Sequence, residues 1–180
     1  MRRKFRLTLK QTIFLGFVVL LLLFFIFHNF QRILVFVGIC AITGLSVFFN
    51  YKSQLPFDLT PVFFFSVLIS YTMGFYPSVL FIIIAGIIPS LPGGKIDANY
   101  FLMLLVIVSI VYFSPSVVEK FGVTRGGLIL AFTYGLMDMT SNVLFGEPSS
   151  KEVLSFSVFM IVNAFYFIHF GERIVTILKV

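Results

Sequence analysis

Charge is missing from long stretches of this chain. Residues 11–27, 33–49, 61–91 and 100–117 contain no Asp, Glu, Lys or Arg. Such runs decide the solvent before they decide the fold. Of 180 residues, 59% are apolar and 11% charged, and the mean hydropathy is +1.09. A soluble domain of this size leaves most of its exterior wet and cannot hide that much apolar surface. Lipid is therefore the expected solvent for most side chains. A soluble globular enzyme, a disordered tail and a nucleic-acid module are excluded, despite a pI of 9.6.

In lipid every backbone N–H and C=O must be satisfied within the segment, so these runs predict helices. They lack the strict alternation of a barrel strand. Seven apolar segments follow, at 11–27, 33–49, 61–74, 77–91, 100–117, 127–145 and 153–170. His28, Asn29, Gln31 and Arg32 are expected to break the first pair. Asn50 to Thr60 form a polar loop. Pro92 to Asn99, then Glu119 to Gly127, then Gly146 to Glu152 mark the later breaks. The expected fold is all-α: a polytopic transmembrane helical bundle of six to seven spans in one domain. Residues 1–10 form a basic tail, 11–170 the bundle and 171–180 a short tail. The first segment reads as a retained span, because no small-residue cleavage site follows it. The lone Cys40 excludes a disulfide framework and a Cys-based metal cluster.

The span count turns on residues 61–91, which are too long for one straight crossing. Splitting them at Gly74-Phe75-Tyr76-Pro77 predicts a tight hairpin of two short, protein-buried helices. Gly74 supplies the turn and Pro77 suits a helix start. The alternative is one long kinked helix, and the charges favour it. Five of the 13 basic residues (Arg2, Arg3, Lys4, Arg6 and Lys10) lie in the first ten. With that tail in the cytoplasm, six spans put 10 basic residues inside and 3 outside, whereas seven put 8 inside and 5 outside. The steric and the electrostatic arguments disagree, and both counts stand as expectations.

Polar groups inside apolar runs are costly and face the bundle or a wet cavity. One acid, Asp138, lies well inside a run. Tyr134, Asp138 and Asn142 recur at i, i+4 and i+8, on one helical face. Asn163, on the last segment, is placed to pair with Asp138 across two helices. Ser70 and Tyr71 give the third segment a polar side. These six residues form the candidate solute-binding set. The competing reading is a hydrogen-bond network that only fixes the packing. Small residues give close-approach faces: Ala131 and Gly135; Ser78, Gly86 and Ser90; Gly38, Cys40, Ala41 and Gly44. His169 is expected at the membrane edge.

Catalytic signatures are missing. There is no H-E-x-x-H, no acid cluster for a metal and no phosphate loop around Gly93-Gly94-Lys95. The chain is expected to be no enzyme, with no metal, no cofactor and no nucleic-acid partner.

Leu55-Pro56-Phe57-Asp58-Leu59-Thr60-Pro61 leads into a short apolar helix, then Gly74-Phe75-Tyr76-Pro77, then a second short helix carrying Gly86. This stretch resembles the S components of energy-coupling-factor (ECF) vitamin transporters. It is similar as well to the MreD family of bacterial rod-shape proteins, through Pro56-Phe57-Asp58-Leu59 and the loop Gly93 to Asn99. The resemblance covers roughly residues 55–100. It implies a six-helix bundle and one of two roles: a solute-capturing subunit of a small-molecule uptake transporter, or a non-catalytic scaffold of cell-shape or cell-wall machinery. Either role implies membrane partner subunits and a multi-pass place in the plasma membrane. The basic tail, by the positive-inside rule, is expected in the cytoplasm, whereas a family bundle mapped onto residues 33–172 would put it outside. S components often carry an Ala-x-x-x-Ala docking row, where this chain has Cys40-x-x-x-Gly44. MreD-like chains often end the second short helix with an acid, where this chain has Pro89-Ser90.

Overall fold

The computed structural model describes residues 9–53, 59–91, 98–146 and 149–179, with side chains described from Phe30 onward except at Ala98 and Ser149. The basic tail's first eight residues, the centre of the 50–60 loop, residues 92–97 of the expected Pro92 to Asn99 break and residues 147–148 lie outside them. Among the described residues there is no strand. Six helices follow one another: α1 (Leu9–Lys52), α2 (Val62–Met73), α3 (Phe75–Ser90), α4 (Ala98–Phe121), α5 (Val123–Leu144) and α6 (Ser149–Leu178). Contacts divide the chain into two units, Met1–Val37 and Gly38–Val180. Residues 9–37 of the first belong to α1. The helix packing is that of the second.

The expected break at 28–32 is not there, because α1 stays helical through it. His28, Asn29, Gln31 and Arg32 are polar, but none is Gly or Pro, and backbone geometry rather than polarity ends a helix. Among the described residues three helices are long and apolar enough to cross a membrane: Phe30–Lys52, Asn99–Phe121 and Ser150–Leu178. The chain is thus an all-helical protein compatible with a membrane, with fewer long apolar helices than the six to seven spans expected. Two apolar helices are shorter, and α5 carries Asp138, Thr140, Ser141 and Asn142 near its end. Large apolar side chains point outward, as lipid allows: Leu105 is 65% exposed and Ile161 70%.

The short helix α2 is the centre of the unit. It touches α3, α4, α5 and α6. Phe63, Phe64, Ser66, Val67, Leu68, Ile69 and Ser70 are all buried. A 12-residue helix is about 18 Å long, well short of the hydrocarbon thickness. It can be short because protein, not lipid, surrounds it.

The hairpin expected at Gly74 is present. Gly74 adopts φ +98° and ψ 175°, a conformation essentially reserved for glycine. The Ser78 hydroxyl donates to the Ser66 carbonyl at 2.6 Å, and Gly86 lies against Val62, so α2 and α3 run antiparallel. Only α2 is protein-buried. Tyr76, Leu80, Ile83, Ile84 and Ile88 of α3 face outward. A π-helical turn over Ile82–Ile87 precedes Pro89, and Ile88 N–H reaches back to the Ile83 carbonyl. That register shift eases the proline ring past the preceding turn.

A second glycine turn joins α4 to α5. Gly122 has φ +81° and ψ 165°. Gly126 and Gly127, expected in the break, instead lie inside α5. A Cβ on Gly126 would meet the Val118 Cα at 2.9 Å, and one on Gly127 would meet the Phe167 ring at 2.3 Å. They let α4 and α6 press onto α5. Gly135 plays the same part against Phe156 and Phe159. Gly44 of α1 faces Pro89 and Ala85 of α3, and Cys40 is buried, so this small-residue pair serves an internal contact. Gly38 has nothing nearby and Ala41 is exposed.

Candidate functional site

The bundle has two unlike ends. At the glycine-turn end, single residues connect α2 to α3 and α4 to α5. At the other end the connections are longer, and a polar rim forms where α4 and α6 begin and α5 finishes. Three facing pairs set the α5–α6 register: Asn142 with Glu152, Tyr134 with Phe159, and Gly127 with Phe167.

At the rim, hydrogen bonds run in one direction. Ser141 Oγ donates to Asn99 Oδ1, Asn99 Nδ2 to Asn142 Oδ1, and Asn142 Nδ2 to Glu152 Oε2, the last at 2.9 Å. A carboxylate only accepts, so it is the natural end of such a chain. Glu152 is 4% exposed. It sits in the first turn of α6, where the helix dipole favours an anion. Beside this chain, Ser90 Oγ meets Tyr100 OH at 3.2 Å.

One turn below Asn142 on α5, Asp138 is half-buried. A further turn down, Tyr134 closes a triangle of rings. Its centroid lies 5.1 Å from Phe63 and 5.5 Å from Phe159, and those two are 5.7 Å apart. The triangle ties α2, α5 and α6 together at the start of α2. Below it, Asn163 is 1% exposed. Its Nδ2 donates to the Phe159 carbonyl at 3.0 Å, and its Oδ1 has no partner. An orphaned buried acceptor costs about 1–3 kcal/mol.

The structure thus gathers Tyr134, Asp138 and Asn142 into the rim half, with Asn163 just below it, but does not pair Asn163 with Asp138 as expected. Asp138 lies one turn above the Tyr134–Phe159 contact and Asn163 one turn below it. They are about 11 Å apart along the bundle, and Asn163 bonds to its own helix. Spacing within each helix is legible in a sequence, whereas register between antiparallel helices is not.

The other two candidates lie elsewhere. Ser70 Oγ donates to the Val111 carbonyl of α4 at 2.7 Å. Pro115 explains this bond. It lies inside α4 and has no N–H for the carbonyl four residues back, which is Val111. The hydroxyls of Ser70 and, at 3.0 Å, Ser114 replace the missing donor. Ser70 is therefore a structural residue. Tyr71 sits near the glycine-turn end, where Lys179 Nζ is 3.4 Å from its hydroxyl and 4.7 Å from its ring centroid. It belongs to the opposite end of the molecule from Asn142.

Asn99 and Glu152 are the rim residues that sequence reasoning passed over. Both stand beside loops and read as breakers. A signal existed: Ser149-Ser150-Lys151-Glu152 has the S-x-x-E spacing of a helix start, which places Glu152 within the helix. Among the described residues no group of His, Cys, Asp and Glu could hold a metal ion. An apolar groove of about 330 Å³ between α4 and α5, lined by Leu102, Val106 and Met137, opens outward among exposed apolar side chains. Comparison with family models, curated proteins and solved structures finds no match for this chain.

Proposed function

We propose that the chain is a solute-capturing membrane subunit, similar to an S component of an ECF transporter, that holds its ligand in the rim half. The observation that carries this reading is the short central helix. α2 begins at the level of the Tyr134–Phe159 rings, while the rim at Asn142 and Glu152 lies about two turns higher. The interior between them belongs to the facing sides of the longer helices. Tyr134, Asp138 and Asn142 line that stretch, and Asn163 lies one turn below the rings. The chain has no Walker motif, so uptake would need partner subunits to supply the energy.

In this reading α2 and α3 are the two limbs of one hairpin, α2 buried and α3 facing outward, within a six-helix plasma-membrane bundle. The glycine-turn end, with Lys120, Arg125, Arg173 and Lys179, faces the cytoplasm by the positive-inside rule. The rim opens to the opposite face.

A second reading is favoured by the rim itself. Asn99, Ser141, Asn142 and Glu152 satisfy one another. A closed network of this kind suits an MreD-like scaffold whose polar residues lock helices together. Asp138→Asn separates the two. A capturing subunit keeps its melting temperature and loses the stabilisation that a bound solute gives by mass action. A scaffold loses melting temperature and shows no solute effect in either form.

A further inference from the structure

Three buried side-chain oxygens among the described residues have no hydrogen-bond partner. Asn163 Oδ1 is buried and unpartnered. Its assignment is fixed by chemistry: the other amide atom faces the Phe159 carbonyl, which can only accept, so that atom must be the nitrogen. On α1, Thr43 Oγ1 is likewise buried without a partner. So is Asn50 Oδ1, two turns further along the same inward face, which Val47 shares at 3% exposure. A carbonyl oxygen can only accept, and a hydroxyl accepts as well as donates.

The described charges sort the same way. Lys52, Lys120, Arg125, Lys151, Arg173 and Lys179 are all exposed. The carboxylates of Asp138 and Glu152 are the charges turned toward the bundle in the rim half. At Asn163 a carboxylate or phosphate would meet a carbonyl acceptor and the negative faces of the neighbouring Phe63, Tyr134 and Phe159 rings. A donor-bearing neutral or cationic group would meet a complementary partner at both, the acceptor and the rings.

We infer that the captured solute is neutral or positively charged and presents an N–H or O–H donor to Asn163 Oδ1, its apolar body lying against the Phe63–Tyr134–Phe159 rings. This rests on the capture reading and narrows it to a chemical class. Compounds whose recognition depends on a carboxylate or phosphate are excluded as ligands. Asn163 is then a specificity-determining residue, kept polar for the ligand rather than for the fold.

The test is native mass spectrometry of the full-length protein purified in mild detergent, with the bound compound identified by fragmentation, beside the melting temperatures of solute-stripped wild type and Asn163→Leu. The expected result is a neutral or cationic donor-bearing compound on the wild type, at least tenfold less of it on Asn163→Leu, and a stripped variant that melts no lower than stripped wild type. A carboxylate- or phosphate-bearing compound overturns this inference and leaves the capture reading standing. No bound compound on the wild type overturns both. A variant that melts lower, or that keeps the compound, shows Asn163 to be structural and overturns its role. The compound's identity is read on the wild type, so that arm does not depend on the variant folding.

Discussion

The two ends of the bundle are held by different physics. At the glycine-turn end, backbones touch: Gly126 lies on Val118, Gly127 on the Phe167 ring, and single glycines reverse the chain at 74 and 122. At the rim end, side chains bridge wider gaps through a directed row of hydrogen bonds from Ser141 to Glu152. Close packing has two states, fitted or not, and tolerates little change. A polar row can be rebuilt around a ligand, because each amide and hydroxyl can exchange one partner for another. The first end is suited to hold the fold and the second to respond.

Substitutions should rank accordingly. The largest loss is expected from Gly126→Ala, whose new Cβ would lie 2.9 Å from backbone, and from Gly127→Ala, at 2.3 Å from a fully buried ring. Each should destabilise by about 1–3 kcal/mol, toward the upper end for Gly126, where no side chain can yield. Thermal unfolding in detergent reads this directly. If both are neutral, the helices are not in close contact and the contrast between the ends fails.

Gly74→Ala and Gly122→Ala come next. Both glycines hold positive φ with extended ψ, and a Cβ there costs about 1–3 kcal/mol even though nothing lies within 4 Å of it. Glu152→Ala should cost about 1–2 kcal/mol by leaving the Asn142 amide unpaired, and Glu152→Gln less, since an acceptor remains. Denaturation midpoints of the pair sharpen the comparison. Equal losses would mean that the charge itself stabilises α6.

The smallest effect is Ser70→Ala, about 1 kcal/mol, because Ser114 still reaches the Val111 carbonyl. In a Pro115→Ala background the helix supplies its own donor, and Ser70→Ala should then cost close to nothing. A double-mutant cycle checks this coupling.

These residues also show what a sequence can disclose. The hairpin at Gly74 was legible because residues 61–91 exceed one crossing and carry Gly74, three positions before Pro77, near their middle. The turn at Gly122 was obscured by the charges around it and by two more glycines, which serve packing instead. Tyr134, Asp138 and Asn142 share a face by arithmetic alone. Whether Asn163 meets Asp138 depends on how two antiparallel helices slide, and nothing local fixes that. Ser70 looked like a binding residue because its reason for being polar, Pro115, is 45 positions away on another helix.

Hydrogen–deuterium exchange of the intact chain, with its solute bound and after stripping, tests the central claim most directly. If the rim half captures the solute, stripping raises exchange around residues 134–142 and 152–163 and leaves residues 118–127 unchanged. Exchange that is the same in both states at the rim, or that changes only at the glycine turns, would contradict the account.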